Sequence, residues 1–289
     1  MSLTEQVNAV MAELTEEIKD NKLNLLTPPD LLLQVRAFAT NQDGTIEDFA
    51  NLVQHDPNIS GRLIKVANSA LLGARVHVTT VKAAISRLGS AKVQSLVTSL
   101  VIAQNFIKAK TRGLEDYFDH IWQQSNDVAA ISYVLAIKKS NVDPEQALLS
   151  GMVHNIGVLP IILRLNQIPA LKNDPKLLIQ VADLVIPKLY PIAGKLILDS
   201  WNFSQEISQI ALTHGQSEQN PDSDTTLHDI IFIASELNNI PDVTDINTIP
   251  ESLVTSTSFN KTWTSWEEAV ENLNELSDEI NEIKDGITD

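Results

Sequence analysis

Apolar residues recur at steps of three and four along most of this chain, which is the spacing of one face of an α-helix. Near the start, this apolar stripe comprises Leu3, Val7, Val10, Met11, Leu14 and Ile18. A more uniformly apolar stretch at 91–106 predicts a helix that is buried on most of its sides. The pattern predicts an all-α protein.

Residues that favour helix ends fall between these stripes. Thr45 is followed three residues later by Asp48, close to the spacing of a capping box. Asp56 precedes Pro57, and proline suits a first helical turn because the N–H group there has no partner. We therefore interpret Asp56 as a helix cap rather than a functional acid, and Gly89 as the end of a helix.

Composition divides the chain into four segments. The charged stretch around Gly113 predicts a joint between two helical lobes, and a later stretch rich in Pro, Thr, Ser and Asn is typical of a linker or surface loop. Within the second lobe, two apolar segments meet at Pro191, and we expect the chain to break there. The predicted bounds are 1–24 for an N-terminal helix that packs on the domain, 25–240 for the helical domain with lobes at about 25–110 and 114–240, 241–262 for the linker or surface loop and 263–289 for a C-terminal helix.

The C-terminal helix combines an acidic face with an apolar stripe. Nine acidic residues and one lysine lie between Trp266 and Asp289. The stripe comprises Trp263, Trp266, Val270, Leu273, Leu276, Ile280 and Ile283. We interpret this segment as a helix docked on its own domain with a solvated acidic face. The alternative is that the stripe serves dimerisation or partner binding.

Composition and charge narrow the class of protein. With 289 residues, 43% of them hydrophobic, the chain can build a substantial core, so disorder throughout is excluded. The net charge of -16 argues against nucleic-acid binding. The absence of cysteine removes disulfides, thiolate metal sites and thiol nucleophiles. The start carries no secretory signal and no apolar run reaches membrane-spanning length, so we expect a cytoplasmic protein without membrane insertion.

Several motifs that would indicate an enzyme or a cofactor are missing from the sequence. It contains no phosphate-binding GxxxxGK[ST] loop, no GxGxxG dinucleotide turn, no GxSxG nucleophile elbow and no HExxH zinc motif. No cofactor is expected.

Four segments together resemble the HDOD family of bacterial signal-transduction proteins, which is related to the HD phosphohydrolases. They are PPDLLLQVRAF, LVQHDPNISGRLIKVANSALLG, TVKAAISRLGSAKVQSLV and EQALLSGMVHNIGVLPIIL. The resemblance runs from about residue 25 to about residue 237 and implies a wholly helical, two-lobed bundle. Its family-motif positions are Asp56, Pro57, Asn68, Ser69, Gly89 and Gly157.

The resemblance also places a metal site, and this chain departs from it at most positions. The related enzymes hold divalent metals with a His, a His-Asp pair and a later Asp. The corresponding remnant positions here are Gln124, His154, Asn155, Tyr190, His214 and Ser235. Asn155, Gln124 and Ser235 offer only neutral oxygens, whereas such a site needs anionic ligands to hold the metal and to activate water. We expect no catalytic residues and no bound metal.

These departures favour a non-catalytic HDOD-type module, a pseudoenzyme that binds a signalling protein of unknown identity or a small ligand. The alternative is a degenerate phosphohydrolase that uses His154, His214 and groups recruited from elsewhere. Structural roles are the simpler interpretation of single residues: His154 and His214 as core or helix-capping side chains, and Asn68 as a side chain bonded to the backbone of a neighbouring loop.

Overall fold

The structure is a computed structural model, and every regular element that it describes is helical. It describes residues 2–20, 22–23, 28–40, 44–69, 77–108, 114–217, 220–221, 223–241, 245 and 248–288, with the backbone alone at 39–40 and 105–108. The helices within these ranges are α1 (Leu3–Lys19), α2 (Asp30–Thr40), α3 (Ile46–Gln54), α4 (Pro57–Ala67), α5 (Val81–Leu88), α6 (Ser90–Lys108), α7 (Glu115–Lys139), α8 (Pro144–Val153), α9 (Val158–Leu165), α10 (Pro169–Lys172), α11 (Pro175–Ser200), α12 (Gln205–Thr213), α13 (Leu227–Asn238), α14 (Glu251–Val254), α15 (Thr257–Thr262), α16 (Trp266–Glu275) and α17 (Ser277–Thr288). The all-α prediction is confirmed.

The predicted helix ends are confirmed by their hydrogen bonds. Thr45 and Asp48 form a reciprocal capping box at the start of α3. The carboxylate of Asp56 accepts from the first backbone N–H groups of α4, at 3.0 Å and 3.2 Å. Gly89 ends α5 with φ of 87°, a conformation that glycine adopts without strain, and α6 begins at the next residue. The predicted joint at Gly113 lies outside the described residues.

Helices α2 to α6 pack against one another in the first lobe, and α7 to α13 in the second. The N-terminal helix α1 packs on α11 and buries Val7, Val10, Leu14 and Ile18. Arg164 on α9 also holds α1 in place, because its guanidinium donates hydrogen bonds of 2.7 Å to 3.0 Å to the Glu17 carboxylate on α1. One continuous core therefore includes the N-terminal helix and both lobes.

The expected break at Pro191 is wrong, since α11 runs without interruption through Pro187 and Pro191. Each proline removes one helical hydrogen bond, which leaves the carbonyls of Asp183 and Pro187 without their usual donor. Asp183 and Pro187 lie on the exposed side of α11, where water can reach them. The helix therefore survives both prolines at modest cost.

The prediction of a linker or surface loop at 241–262 is wrong for its second half. Helices α14 and α15 form there, and Leu253 and Phe259 are fully buried. The ammonium of Lys261 pairs at 3.0 Å with the buried carboxylate of Asp229 on α13. The Ser- and Thr-rich composition suggested a loop. Ser256 instead caps α15, and the buried side chain of Phe259 packs that short helix into the core.

The acidic C-terminal segment is docked on its own domain, as predicted, but it forms two helices that meet at Leu276. Ile283 and Ile287 of α17 are buried, and α17 contacts both α4 and α7. The guanidinium of Arg62 on α4 donates to the carbonyls of Ile287 at 2.8 Å and Thr288 at 3.1 Å. Because α4 and α7 belong to different lobes, α17 bridges the two.

Two helical stretches are long and apolar enough to cross a membrane by length and composition alone. They are Pro144–Leu165 and Pro175–Ser200, and the structure buries 89% of the apolar window in the first and 44% of that in the second. The expectation that no apolar run reaches this length is therefore wrong. The first stretch occupies the core of the second lobe, where its apolar side chains pack inside the fold.

Candidate functional site

The six remnant positions line a single cavity of about 420 Å³ in the second lobe. Helix α7 supplies Gln124, the turn between α8 and α9 supplies His154 and Asn155, and the remaining walls come from α11, the end of α12, and α13. The complete set comprises Gln124, His154, Asn155, Tyr190, His214 and Ser235. The structure therefore brings together residues that are up to 111 positions apart in the chain.

His154 is a buried, neutral imidazole at the C-terminal end of α8. Its Nδ1 lies 2.6 Å from the carbonyl of Gly151, so Nδ1–H donates there and Nε2 keeps its lone pair. Burial, with a smaller contribution from the neighbouring His214, lowers the pKa of His154 to about 3. The predicted core and capping role of His154 is confirmed, while its Nε2 has no hydrogen-bond partner among the described residues.

His214 has a hydrogen-bond partner at each ring nitrogen. Its Nδ1 lies 3.2 Å from the carbonyl of Ile210, and its Nε2 lies 2.8 Å from the hydroxyl of Tyr190. If Nδ1–H donates to the carbonyl, Nε2 accepts from the tyrosine O–H. Burial lowers the pKa of His214, and the rings of His154 and His214 meet edge-on with centroids 4.9 Å apart. Both imidazoles are therefore neutral near pH 7.

Asn155 and Ser235 carry buried polar atoms with no partner in the described protein. The Asn155 carboxamide oxygen accepts from the hydroxyl of Ser125 at 2.7 Å, whereas its Nδ2 donates to nothing. The Ser235 hydroxyl is also unpaired. These side chains are only 5% and 8% exposed. Leaving a buried donor unpaired costs about 1–3 kcal/mol, so the cavity floor has unused hydrogen-bonding capacity.

This donor set does not fit the divalent metals of the HD enzymes. No carboxylate occurs among the six positions, and the oxygen of Asn155 and both nitrogens of His214 already have partners. His154 Nε2 is the one imidazole lone pair left among these residues. Across the described part of the chain, no three His, Asp or Glu side chains lie close enough together to hold a metal ion. Mg²⁺ and Mn²⁺ favour several oxygen ligands that include carboxylates, and these six positions offer only neutral oxygens.

Residues at the mouth of the cavity were not predicted from the sequence. Tyr117 and His120 precede Gln124 on one face of α7, and Asp183 precedes Tyr190 on one face of α11. Glu236 follows Ser235 on α13. Tyr117 and His120 lie seven and four residues before Gln124, and Asp183 lies seven residues before Tyr190. These helical spacings could have identified the three residues from the sequence.

The mouth contains carboxylates in a partly apolar setting. Burial raises the pKa of Glu236. Burial and the charge of Asp183 together raise the pKa of Tyr117 to about 12, so its phenol keeps its proton near pH 7. Asp183 therefore lies close enough to Tyr117 to influence its ionisation.

The family-motif positions of the first lobe serve the fold and lie outside the cavity. Asn68 bonds in both directions to the backbone of Val78, at 2.8 Å each, which confirms its predicted structural role. Ser69 is buried, and Asp56 and Pro57 begin α4.

Gly157 belongs to the second lobe and sets the distance between the α8–α9 turn and α11. A Cβ atom there would lie 2.0 Å from the carbonyl oxygen of Tyr190 and 2.4 Å from the backbone nitrogen of Gly194. Only glycine permits this approach, which brings Tyr190 into the cavity.

The chain belongs to the HDOD domain family, whose model matches residues 25–217. The family is related to the HD phosphohydrolases. A provisionally assigned metal-dependent phosphohydrolase from Shewanella amazonensis SB2B has a similar solved structure, with a TM-score of 0.81, 24% identity, and coverage of 98% of this chain and 99% of that one. An HDOD domain protein of unknown function from Geobacter sulfurreducens gives a TM-score of 0.66 at 19% identity, with coverage of 98% and 99%. These likenesses concern the fold.

An uncharacterized protein of Treponema pallidum (strain Nichols) is 21% identical over 263 residues. The match covers 86% of this chain and 49% of that protein. This chain thus spans about half the length of the curated relative.

Proposed function

We propose that this protein is a non-catalytic HDOD-type regulatory module that binds a small ligand in the cavity of its second lobe and conveys that state to a signalling partner. The observation that carries the proposal is the donor set: six positions that would surround a metal in the HD enzymes form a cavity floor without one carboxylate. A cytoplasmic location and a protein partner belong to the same proposal.

The chemistry of hydrolysis supports this view. Metal-assisted hydrolysis needs a cation that lowers the pKa of bound water, and anionic ligands that keep the cation in place. Asn155 and Ser235 replace both carboxylates, and Tyr190 engages the Nε2 lone pair of His214. A floor of neutral groups with spare hydrogen-bonding capacity suits a bound organic molecule better than a metal ion.

The alternative, a degenerate phosphohydrolase, is favoured by one observation. Asp183 and Glu236 line the same cavity as His154 and are the carboxylates that such an enzyme could recruit. The two functions differ in metal affinity, because an enzyme of this kind would load Mn²⁺ tightly.

Mn²⁺ binding tests the proposal directly. We expect the unmodified protein, titrated with Mn²⁺ and followed by electron paramagnetic resonance, to show no saturable site at micromolar concentration and no hydrolysis of bis-p-nitrophenyl phosphate. The matched positive control is the triple variant Gln124→His, Asn155→Asp and Ser235→Asp, which returns one imidazole and two carboxylates to the floor. It should bind Mn²⁺ at least about tenfold more tightly.

Metal binding or turnover by the unmodified protein would contradict the proposal. Stoichiometric Mn²⁺ in the unmodified protein, or phosphodiester turnover that His154→Ala abolishes without loss of folding, would establish the enzyme instead.

A further inference from the structure

The floor and the mouth of the cavity differ in charge. Buried neutral groups form the floor, with Asn155, Ser235 and His154 at most 8% exposed. Asp183 and Glu236 supply the carboxylates of the wall toward the mouth. The described lining contains no lysine and no arginine.

The two carboxylates have no basic partner in the described structure, since neither forms an ion pair or a side-chain hydrogen bond. The chain as a whole has a net charge of -16. An approaching anion, such as a phosphate ester, would meet both the local and the overall negative potential. A cation would be attracted by both.

The floor of the cavity adds neutral hydrogen-bonding groups to the carboxylates of the mouth. Asn155 Nδ2 is a donor without an acceptor, and the Ser235 hydroxyl has no partner. His154 Nε2 is an acceptor because Nδ1–H bonds the Gly151 carbonyl. A ligand that reaches the floor can therefore offer an acceptor to Asn155 and hydroxyl groups to Ser235 and to His154.

We propose that the cavity takes a small organic cation, an amine that also carries hydroxyl or carbonyl oxygens, and that it rejects phosphate esters. The inference rests on the proposed function, of which it names the ligand class. The ammonium group lies toward Asp183 and Glu236, and the neutral oxygens bond to Asn155 and Ser235. The volume of about 420 Å³ is in the range of small-molecule sites.

A panel of amino alcohols and amino sugars, from ethanolamine to glucosamine, tests the ligand class. Each amine is measured beside its N-acetylated and its O-phosphorylated form by saturation-transfer NMR, with EDTA present. We expect free amines to bind about fivefold to tenfold more tightly than their acetylated forms, and the phosphorylated forms to bind most weakly. Equal or tighter binding of the phosphorylated forms, or no binding by any amine, overturns the proposal.

Charge variants test whether the carboxylates at the mouth cause the preference for free amines over their acetylated forms. The double variant Asp183→Asn and Glu236→Gln should remove the difference between the amines and their acetylated forms. The matched control, Glu271→Gln and Glu275→Gln, makes the same charge change at exposed positions of α16 and should retain it. A preference that survives in the first variant contradicts the proposed site.

Serine variants test the floor. Ser235→Ala should weaken amine binding severalfold and raise the melting temperature of the ligand-free protein by about 2 °C, because an unpaired buried hydroxyl is removed. Ser132→Ala on α7 removes another unpaired buried hydroxyl that does not line the cavity, so it should leave binding unchanged. Unchanged binding in Ser235→Ala contradicts the role of the floor. Since EDTA excludes metal, these results do not depend on the Mn²⁺ titration, and either proposal can fail alone.

Discussion

At the scale of single residues, the cavity contains a pair of buried imidazoles, His154 and His214. His154 and His214 are each only 6% exposed, their rings meet edge to face, and neither ring is hydrogen-bonded to a carboxylate that would stabilise a positive charge. Each Nδ1 faces a carbonyl near the end of its own helix. The protein therefore retains both imidazoles as neutral hydrogen-bonding groups, and protonating either one in the folded state is unfavourable.

The low pKa of His154 predicts that stability falls in mild acid. The folded-state pKa is about 3 and the ordinary value is 6.5, so the unfolded chain takes up a proton first. The contribution of neutral His154 is complete above pH 6.5 and is lost as the pH falls from 6.5 toward 3. The free energy of unfolding should drop by roughly 1 kcal/mol per pH unit in that window.

Urea unfolding at pH 7.5 and pH 5 measures this dependence. His154→Gln should make it shallower and leave the part that comes from His214, whose pKa is also lowered by burial. His77→Gln, a change at an exposed side chain, should leave it as in the unmodified protein. An equally steep decline in His154→Gln would assign the effect to other groups.

At the scale of elements, glycines decide how closely the helices around the cavity approach. Gly157 meets the backbone of α11, and a Cβ at Gly151 of α8 would lie 2.6 Å from the Cα of Ala129 on α7. The family pattern identified Gly157, but nothing in the sequence shows which backbone it faces. These close contacts fix the positions of α7 and α11 relative to the α8–α9 turn, which carries His154 and Asn155.

Gly157→Ala should destabilise the protein by about 3 kcal/mol or more, because its Cβ would overlap the backbone of α11. The φ of Gly157 is -66°, which alanine adopts readily, so the loss would come from overlap rather than backbone strain. Gly61→Ala is the matched control: a Cβ there meets nothing within 4 Å, and alanine should stabilise α4 by about 0.5–1 kcal/mol. Thermal unfolding compares the two, and a mild effect of Gly157→Ala would show that α11 can shift.

At the scale of the whole molecule, the C-terminal helix joins the lobes. Ile283 and Ile287 fill the surface between α4 and α7, and Gly286 lets α17 approach Val66. Arg62 and Lys65 bond the last carbonyls of α17, where cations also favour the helix dipole. The apolar stripe is therefore used within the chain.

Deleting residues 277–289 should lower the free energy of unfolding by about 4 kcal/mol, since it uncovers the sites of two buried isoleucines. The control variant Glu271→Gln and Glu275→Gln reduces the negative charge of the same region and should change stability little. Differential scanning calorimetry measures both. An unchanged melting temperature after deletion would instead assign the helix to a partner.

Apolar periodicity and capping side chains predicted the helical class and most helix starts, because both act locally. The six cavity positions were expected only from the family resemblance, and periodicity alone would not have found them. The sequence did not predict the continuity of α11 through Pro191 or the helices at 251–262, which depend on what packs against them. It also missed Asp183 and Glu236, because the cavity that they line forms only where α11 and α13 come together in the folded chain.

The position of α13 has a practical consequence for dissecting this protein. The family match stops at residue 217, ahead of the helix that carries Ser235 and Glu236 and packs on α7 and α8. A fragment limited to residues 25–217 would lack one wall of the cavity and would expose apolar side chains that pack against α13 in the full chain. Biochemical work should therefore keep the chain through Thr288, and negative results from shorter fragments would say little about recognition by the intact protein.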